Sequence, residues 1–385
     1  MKSYSVKLTD QDENSKLGYL IRKTELTTGG KKISGLVKIP RYPNKKLGLI
    51  SPINEAVITL TLKEIEEIDG KNELRTSFIS DRVRNALNRS RINVVFVRIS
   101  RADGTGFIKL KENVDKIAAF VVDIIYSHPM VDIVTLPYIE FLNNDSTGDL
   151  VEFDNLIGAR ISEMASLGVG GGKIGYFLPS YYTRDGIPRL IESYISRFGE
   201  EGVYICDFEG GTFSGTGYSL VSQVSRKVAG ETGSEAYALY VYSQKEKKKS
   251  GGEVSSEDLL ALMNEASIVG PSHKRPVLPK EIVEKLKQDQ VFSPKMLYTK
   301  DFLFYQYSDY KGTNQFNDWV STVVGAGDSV SLDHRKRLAD IYNGKKTQEA
   351  IEKIIADPKE TINSLERDDF KNELKQVNSR MRRIK

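Results

Sequence analysis

The first fifty residues run in short apolar stretches, among them Tyr19-Leu20-Ile21 and Leu36-Val37-Lys38-Ile39, broken at Gly29-Gly30, Pro40 and Pro43. Such runs between glycines and prolines predict β-structure with turns, here a segment over residues 1–55 that caps something larger. From about Ala56 the period changes. A short run rich in β-branched residues is followed by a longer stretch whose apolar positions recur three and four apart, and the pair repeats along the chain. That alternation marks β/α units.

Strands are predicted at Ala56 to Leu60, Asn93 to Ile99, Val131 to Leu136, Lys173 to Leu178, Gly202 to Cys206, Ala236 to Tyr242, Ser267 to Val269 and Phe302 to Tyr305. Helices are clearest at Val114 to Ile125, Leu156 to Leu167, Ile187 to Phe198, Tyr218 to Val228 and Ser256 to Glu265, with shorter ones at Asp81 to Leu87 and Lys280 to Leu286. Several strands are apolar at nearly every position, which fits a parallel sheet covered on both faces. Eight such units close most economically into an α/β fold of TIM type, a (β/α)8 barrel over residues 56–325, with an open doubly wound sheet as the alternative. The seventh strand is the shortest and reads equally well as the end of the preceding helix. Residues 326–385 predict a basic helical tail whose apolar stripe, Ala350-Ile351, Ile354-Ile355 and Leu365, is interrupted at Pro358. The polar run Lys245 to Glu253 has no apolar anchor and predicts a mobile loop.

The chain has 385 residues, 39% of them hydrophobic, enough for a large core. A mean hydropathy of −0.37 and the lack of an uncharged apolar run near the ~18 residues needed to cross a bilayer exclude an integral membrane protein. Met1 to Lys7 carries no apolar stretch of the secretory type. With Cys206 as the single cysteine, the reading is a cytoplasmic protein with neither a disulfide framework nor a zinc site built on several thiolates. The net charge of +4 sits in one place: Ser331 to Lys385 holds 14 Lys and Arg against 10 Asp and Glu, while the rest balances at 42 of each. A neutral body argues against a protein that coats nucleic acid. The tail is compatible with a local RNA contact or with a solvated helical face.

In a barrel the chemistry lies at the carboxyl ends of the strands, and those exits are polar here. The second carries Arg98, Arg101 and Asp103, the third Tyr138 and Glu140, the fourth Tyr182, Arg184 and Asp185, the sixth Tyr242, and the seventh His273, Lys274 and Arg275 between two prolines. At the fifth, Asp207 and Glu209 are two apart, so an extended chain would aim both to one side. Neighbouring carboxylates can split acid and base duties, or one can attack an electrophilic carbon. The following Gly210-Gly211 and the Ser/Thr/Gly run offer backbone amides to an anion ahead of a helix. The plainer alternative is a capped strand end and a glycine turn. His273, Lys274 and Arg275 fit a phosphate or carboxylate, or an exposed basic turn, and the exit tyrosines fit stacking on a base or sugar, or simple packing. No cofactor motif is evident: Leu167 to Lys173 is glycine-rich but precedes a strand and lacks the ending of a phosphate loop. Carboxylate-only coordination of magnesium stays open.

Three runs, Leu17-Gly18-Tyr19-Leu20, Thr28-Gly29-Gly30-Lys31-Lys32-Ile33 and Val37-Lys38-Ile39-Pro40, together resemble the opening β-segment of tRNA-guanine transglycosylases, and Arg337 to Ile355 resembles the helical end of that barrel. The resemblance implies a (β/α)8 barrel that exchanges a base in tRNA through an aspartate nucleophile. The family's Asp-Ser-Gly-Gly-Phe-Gln motif, its Cys/His metal cluster and its Gly-Gly-Leu segment are missing from this sequence, so a related site would be rebuilt or lost. Asp207 to Phe213 has a similar flavour on a different strand.

Two functions are expected. The first is a barrel enzyme acting on a small-molecule, sugar, nucleoside or phosphorylated substrate, with Asp207 and Glu209 catalytic and Arg184, His273 and Lys274 holding an anion. The second is a catalytically silent barrel that binds RNA or protein.

Overall fold

The computed structural model describes residues 4–140, 146–166, 173–179, 186–233, 235–245, 252–271, 293–325 and 330–384. Tyr4–Asn14 (β1), Tyr19–Thr28 (β2) and Lys31–Gly35 (β3) form an antiparallel sheet in that order. The chain then enters a parallel sheet through Val37–Lys38 (β4), Ile53–Leu60 (β5), Ile92–Ile99 (β6), Ile133–Thr135 (β7) with its continuation Tyr138–Ile139 (β8), Lys173–Pro179 (β9), Gly202–Asp207 (β10) and Tyr237–Tyr242 (β11). Val254–Ser255 (β12) leaves for a separate sheet, and Ile268–Val269 (β13) returns to the parallel one. The hydrogen-bonded order is β4-β13-β11-β10-β9-β7-β6-β5, every pair parallel.

Seven of the expected strands thus lie in this sheet, the short seventh included. The eighth does not. Lys295–Tyr298 (β14) and Leu303–Gln306 (β15) form a hairpin, and β12 adds antiparallel to β15. Phe302 takes a left-handed φ of 60° in the tight loop between β14 and β15, a conformation that reverses the chain instead of sending it across a sheet. The eighth parallel member is β4, drawn from inside the N-terminal segment, where Pro40 ends the apolar run Leu36 to Ile39. Among the described residues no ladder joins β4 to β5, so the sheet is a curled, open half-barrel of eight strands.

The curl is visible in the core. One set of alternate residues, including Val37, Ile53, Phe96, Ile133, Phe177, Ile205, Tyr240 and Ile268, packs into a single inner cluster, with Val6 and Leu26 of β1 and β2 joining it. Phe96 of β6 stacks on Tyr242 of β11 at 4.0 Å between ring centroids, although three strands lie between theirs. The opposite faces, rich in Val95, Val97, Leu178, Cys206 and Val241, pack against the helices in a larger outer cluster. Lys31 Nζ of β3 reaches Asp132 Oδ2 at 2.7 Å and the Arg91 carbonyl at 2.6 Å, tying the N-terminal sheet to the amino ends of the parallel strands.

The helical expectations are met with shifted ends. Val114–Phe120 runs on into Val121–Tyr126, and Thr147–Ser166, Gly186–Phe198, Tyr218–Thr232 and Glu257–Leu262 follow. Residues 280–286, and 246–251 of the expected loop, lie outside the described residues. In the tail, Leu332–Ala356 ends before Asp357, whose side chain accepts from the Glu360 amide at 2.9 Å, and Pro358 opens a new helix instead of kinking the old one. That is where proline's missing N–H does no harm. Asp369–Ile384 docks through Phe370, whose ring lies 5.2 Å from Phe302. Among the described residues no helix is long and apolar enough to cross a membrane.

Candidate functional site at the strand exits

Side chains alternate along a strand, so the inner cluster shows which exit residues face inward. Val203 and Ile205 lie in it, whereas Tyr204 and Cys206 lie in the outer one, which places Asp207 on the inner face at the carboxyl end of β10. The same alternation brings Arg98 inward on β6, after Val94 and Phe96, and Tyr242 inward on β11, after Ala238 and Tyr240.

Tyr138 and Glu140 reach that face by a different device. β7 pairs Val95 with Val134, but β8 pairs Arg98 with Tyr138, so one extra residue is spent around Leu136-Pro137. Pro137 has no N–H for the ladder, and around it the Val97 amide donates to the Thr135 hydroxyl at 3.1 Å instead of to a ladder carbonyl. This bulge reverses the alternation. Without it, Tyr138 and Glu140 would face the helices.

The electrostatics confirm the convergence. Burial pushes the Tyr138 hydroxyl far above its ordinary range, Asp207 adds to that, and Arg98 pulls the other way. Tyr242 is raised by burial, then by Tyr138, Glu55 and Asp207. Rings back these groups: Tyr138 stacks on Phe177 at 4.2 Å, and Phe96 underlies Tyr242. Asp207 is only 7% exposed. Arg98 pairs with Glu140, whose second oxygen accepts from Ser100 Oγ at 3.0 Å. Sequence reasoning missed Glu55, an inward carboxylate that accepts from the Tyr240 hydroxyl. The predicted strand began at Ala56, one residue too late to include it. Gly270 makes the room, since a Cβ there would run into the Glu55 carboxylate.

Two expectations at the fifth exit need correction. The chain is not extended through Glu209, which adopts a left-handed φ of 47°. It is exposed, and its amide donates to Asp207 Oδ1 at 2.9 Å, so the second residue caps the first instead of lining up beside it. The amides of the glycine-rich run are also spoken for: Gly211 donates to Phe208 O at 2.6 Å, Gly215 to Thr212 Oγ1 at 3.1 Å, and Ser214 to Glu257 Oε2 at 2.8 Å. The buried Glu257 also takes the Ser214 hydroxyl at 2.6 Å, so the polar groups of this turn already meet a carboxyl group of the protein itself. The glycines serve packing, for a Cβ on Gly217 would strike the Phe208 ring. The fifth and sixth exits are stitched together by Phe208 N to Tyr242 O at 3.0 Å and Gly210 N to Ser243 O at 2.7 Å, with Ser243 also left-handed at φ 56°.

Arg101 and Asp103 shape the second exit. Arg101 Nε donates to the Thr105 carbonyl at 3.1 Å, and Asp103 accepts from the amides of Thr105 at 3.0 Å and Lys63 at 3.3 Å. Burial alone would raise the Asp103 pKa, but these hydrogen bonds outweigh it and hold the carboxyl below its ordinary value. Tyr182, Arg184, Asp185, His273, Lys274 and Arg275 lie outside the described residues. Among the described residues no three His, Cys, Asp or Glu side chains gather as a metal site would require. The chain matches no protein-family model, and none of the curated proteins compared with it is similar.

Proposed function

We propose that this chain is an enzyme acting at the glycosidic carbon of a sugar, nucleoside or phosphorylated substrate, with Asp207 as the nucleophile or general base. The observation that carries the proposal is the buried carboxylate at an inner strand exit, with the phenols of Tyr138 and Tyr242 and the guanidinium of Arg98 around it. A carboxylate so placed attacks the anomeric carbon, or takes a proton from the group that does. The tyrosine rings supply flat surfaces for a sugar or base, and the Arg98–Glu140 pair supplies polar contacts for its substituents. The proposal rests on Asp207 and not on a pair with Glu209. Base exchange in a tRNA is its narrower form, supported by the resemblance of the N-terminal segment and by the basic tail.

A second reading, a catalytically silent barrel that binds RNA or protein, is favoured by the aromatic layer. Phe96, Phe177, Tyr138 and Tyr242 fill the inner face directly beneath the rim. The test is turnover. Wild type and Asp207→Asn are incubated with nucleosides, sugar phosphates and unfractionated tRNA plus labelled free bases, and release or exchange of the base is followed by mass spectrometry. The enzyme reading expects turnover that falls by about 10²-fold or more in the variant. Turnover absent throughout, or equal in the two proteins, sinks it and leaves the binding module.

A further inference from the structure

The inner face of β5 carries a carboxylate where the fold has no need of one. Ile53 lies in the inner cluster, and by alternation Glu55 and Val57 follow on the same face. An apolar side chain would fill the place, whereas taking a carboxylate partly out of water costs stability. Glu55 is half-buried, and its neighbours are shaped to it. The buried Tyr240 donates its hydroxyl, and Gly270 stands where a Cβ would strike Glu55 Oε1.

The register puts this carboxylate in the layer of Asp207. Counted through β6, β7 and β9, Glu55 pairs with Val94, Val94 with Ile133, and Ile133 with Lys173. Lys173 is three residues before Tyr176, the partner of Tyr204, so Glu55 falls level with Glu201, six residues short of Asp207. Counted the other way, Glu55 meets the sheet at Gly270. The Gly270 amide donates to the Val241 carbonyl at 2.8 Å, which continues the pairing of Val269 with Val241 and sets Gly270 beside Tyr242, the partner of Asp207. The two counts disagree because a curling sheet accumulates stagger, up to the shear of about eight that closes an eight-stranded barrel. That stagger lifts Glu55 to the height of Asp207.

Tyr138 and Tyr242 relate the two carboxylates. Burial is the largest cause of the rise in both hydroxyls, and Asp207 and Glu55 each add to it. Both phenols therefore lie within reach of both charges.

We propose that Glu55 is the second catalytic carboxylate of the site, the acid/base partner of Asp207 that the sequence predicts at Glu209. The inference rests on the glycosidic reading above. As the bond from the anomeric carbon to the leaving nitrogen or oxygen breaks, its electron pair stays on the leaving atom and the Glu55 carboxyl proton is transferred there. Asp207, or the water that Asp207 deprotonates, bonds to the carbon. The Glu55 carboxylate so formed recovers a proton from the incoming acceptor or from water.

Two substrate series test the role. Nucleosides and methyl glycosides have leaving groups that need a proton, whereas 4-nitrophenyl ribosides and hexosides release theirs as the anion. kcat/KM is measured on both series in wild type, Glu55→Gln, Gly270→Ala and Asp207→Asn, with circular dichroism as the folding check. Gly270→Ala keeps Glu55 and pushes its carboxylate aside. Glu55→Gln is expected to lose about 10²-fold or more on the first series and little on the second. Gly270→Ala should show the same split, and it decides alone if Glu55→Gln does not fold. Asp207→Asn loses on both series. Equal losses on the two series in Glu55→Gln, or no loss, overturn the role of Glu55, while a loss in Asp207→Asn keeps the enzyme reading. Turnover of neither series by wild type also overturns it, and base exchange in tRNA then decides the enzyme reading by itself.

Discussion

The stack of Phe96 on Tyr242 makes the curl of the sheet a measurable quantity. From β6 to β11 the order passes through β7, β9 and β10, four strand spacings. At about 4.8 Å each, a flat sheet would hold the two strands roughly 19 Å apart. Curling brings the ring centroids to 4.0 Å at an interplanar angle of 19°. Phe96→Leu and Tyr242→Leu keep apolar bulk and delete the ring faces. Phe96 is fully buried and Tyr242 nearly so, so each substitution is expected to cost about 1–3 kcal/mol. Tyr242 also loses its contact with Tyr138, but that loss is common to both Tyr242 variants and cancels in the cycle. What survives is the pair itself, about 1 kcal/mol for a stacked pair beyond area burial. Urea unfolding followed by far-UV circular dichroism measures it, with the m-value held constant as the condition for comparison. Sites 19 Å apart with no shared partner add to within about 0.5 kcal/mol. Strict additivity would therefore refute the curl and with it the convergence of Asp207, Tyr138 and Arg98.

Three further outcomes follow from the same geometry. Lys31→Met leaves Asp132, 1% exposed, without its lysine, and should lower stability by about 2–4 kcal/mol in the same urea assay. Deleting Pro137 removes the extra residue between β7 and β8, turning Tyr138 and Glu140 outward; substrate turnover or ligand binding at the Asp207 site should vanish, while Pro137→Ala keeps it. The third concerns alkali. Burial raises the hydroxyls of Tyr176, Tyr204, Tyr240 and Tyr242 above their ordinary value of 10.0. They stay protonated in the fold and ionise once unfolded, so their stabilising effect is complete below about pH 9 and declines as pH rises past 10. At pH 11 each costs about 1.4 kcal/mol and the four together about 5–6. These four should add a cooperative step, coincident with unfolding, to the tyrosinate absorbance at 295 nm of the chain's nineteen tyrosines, and the lack of such a step would contradict the burial.

Seven parallel strands were legible because each is a short apolar run flanked by a helix-period stretch, a local signal. β4 was legible as β-structure, but nothing local says that Val37 pairs with Ile268. The eighth place is therefore predicted at Phe302 to Tyr305, whose apolar run is as strong but whose left-handed turn at Phe302 leaves no mark in residue type. At the site, the strand bounds put Asp207 and Tyr242 at strand exits, and they are the last residues of β10 and β11; period-two reasoning was applied to Asp207 and Glu209. It failed at Glu209, where the strand had already ended in a turn. Tyr138 and Glu140 were found by proximity to a strand end, not by phase, since the bulge that turns them inward depends on the neighbouring strand.

The place of β4 also bears on how the molecule is made. Val6 donates to Glu201 across 195 residues, and Lys38 reaches the Gly270 carbonyl across 232. At ~5–20 residues per second, roughly 12–46 s of synthesis separate the appearance of Lys38 from that of its partner. During that interval the nascent N-terminal strands, with Val6, Leu26 and Ile39 destined for the inner cluster, lack β13, the strand to which β4 pairs. Such long-range pairing slows folding and lengthens the time in which apolar strands are open to chaperones or to one another. The half-barrel is thus finished by its oldest strand joining its youngest.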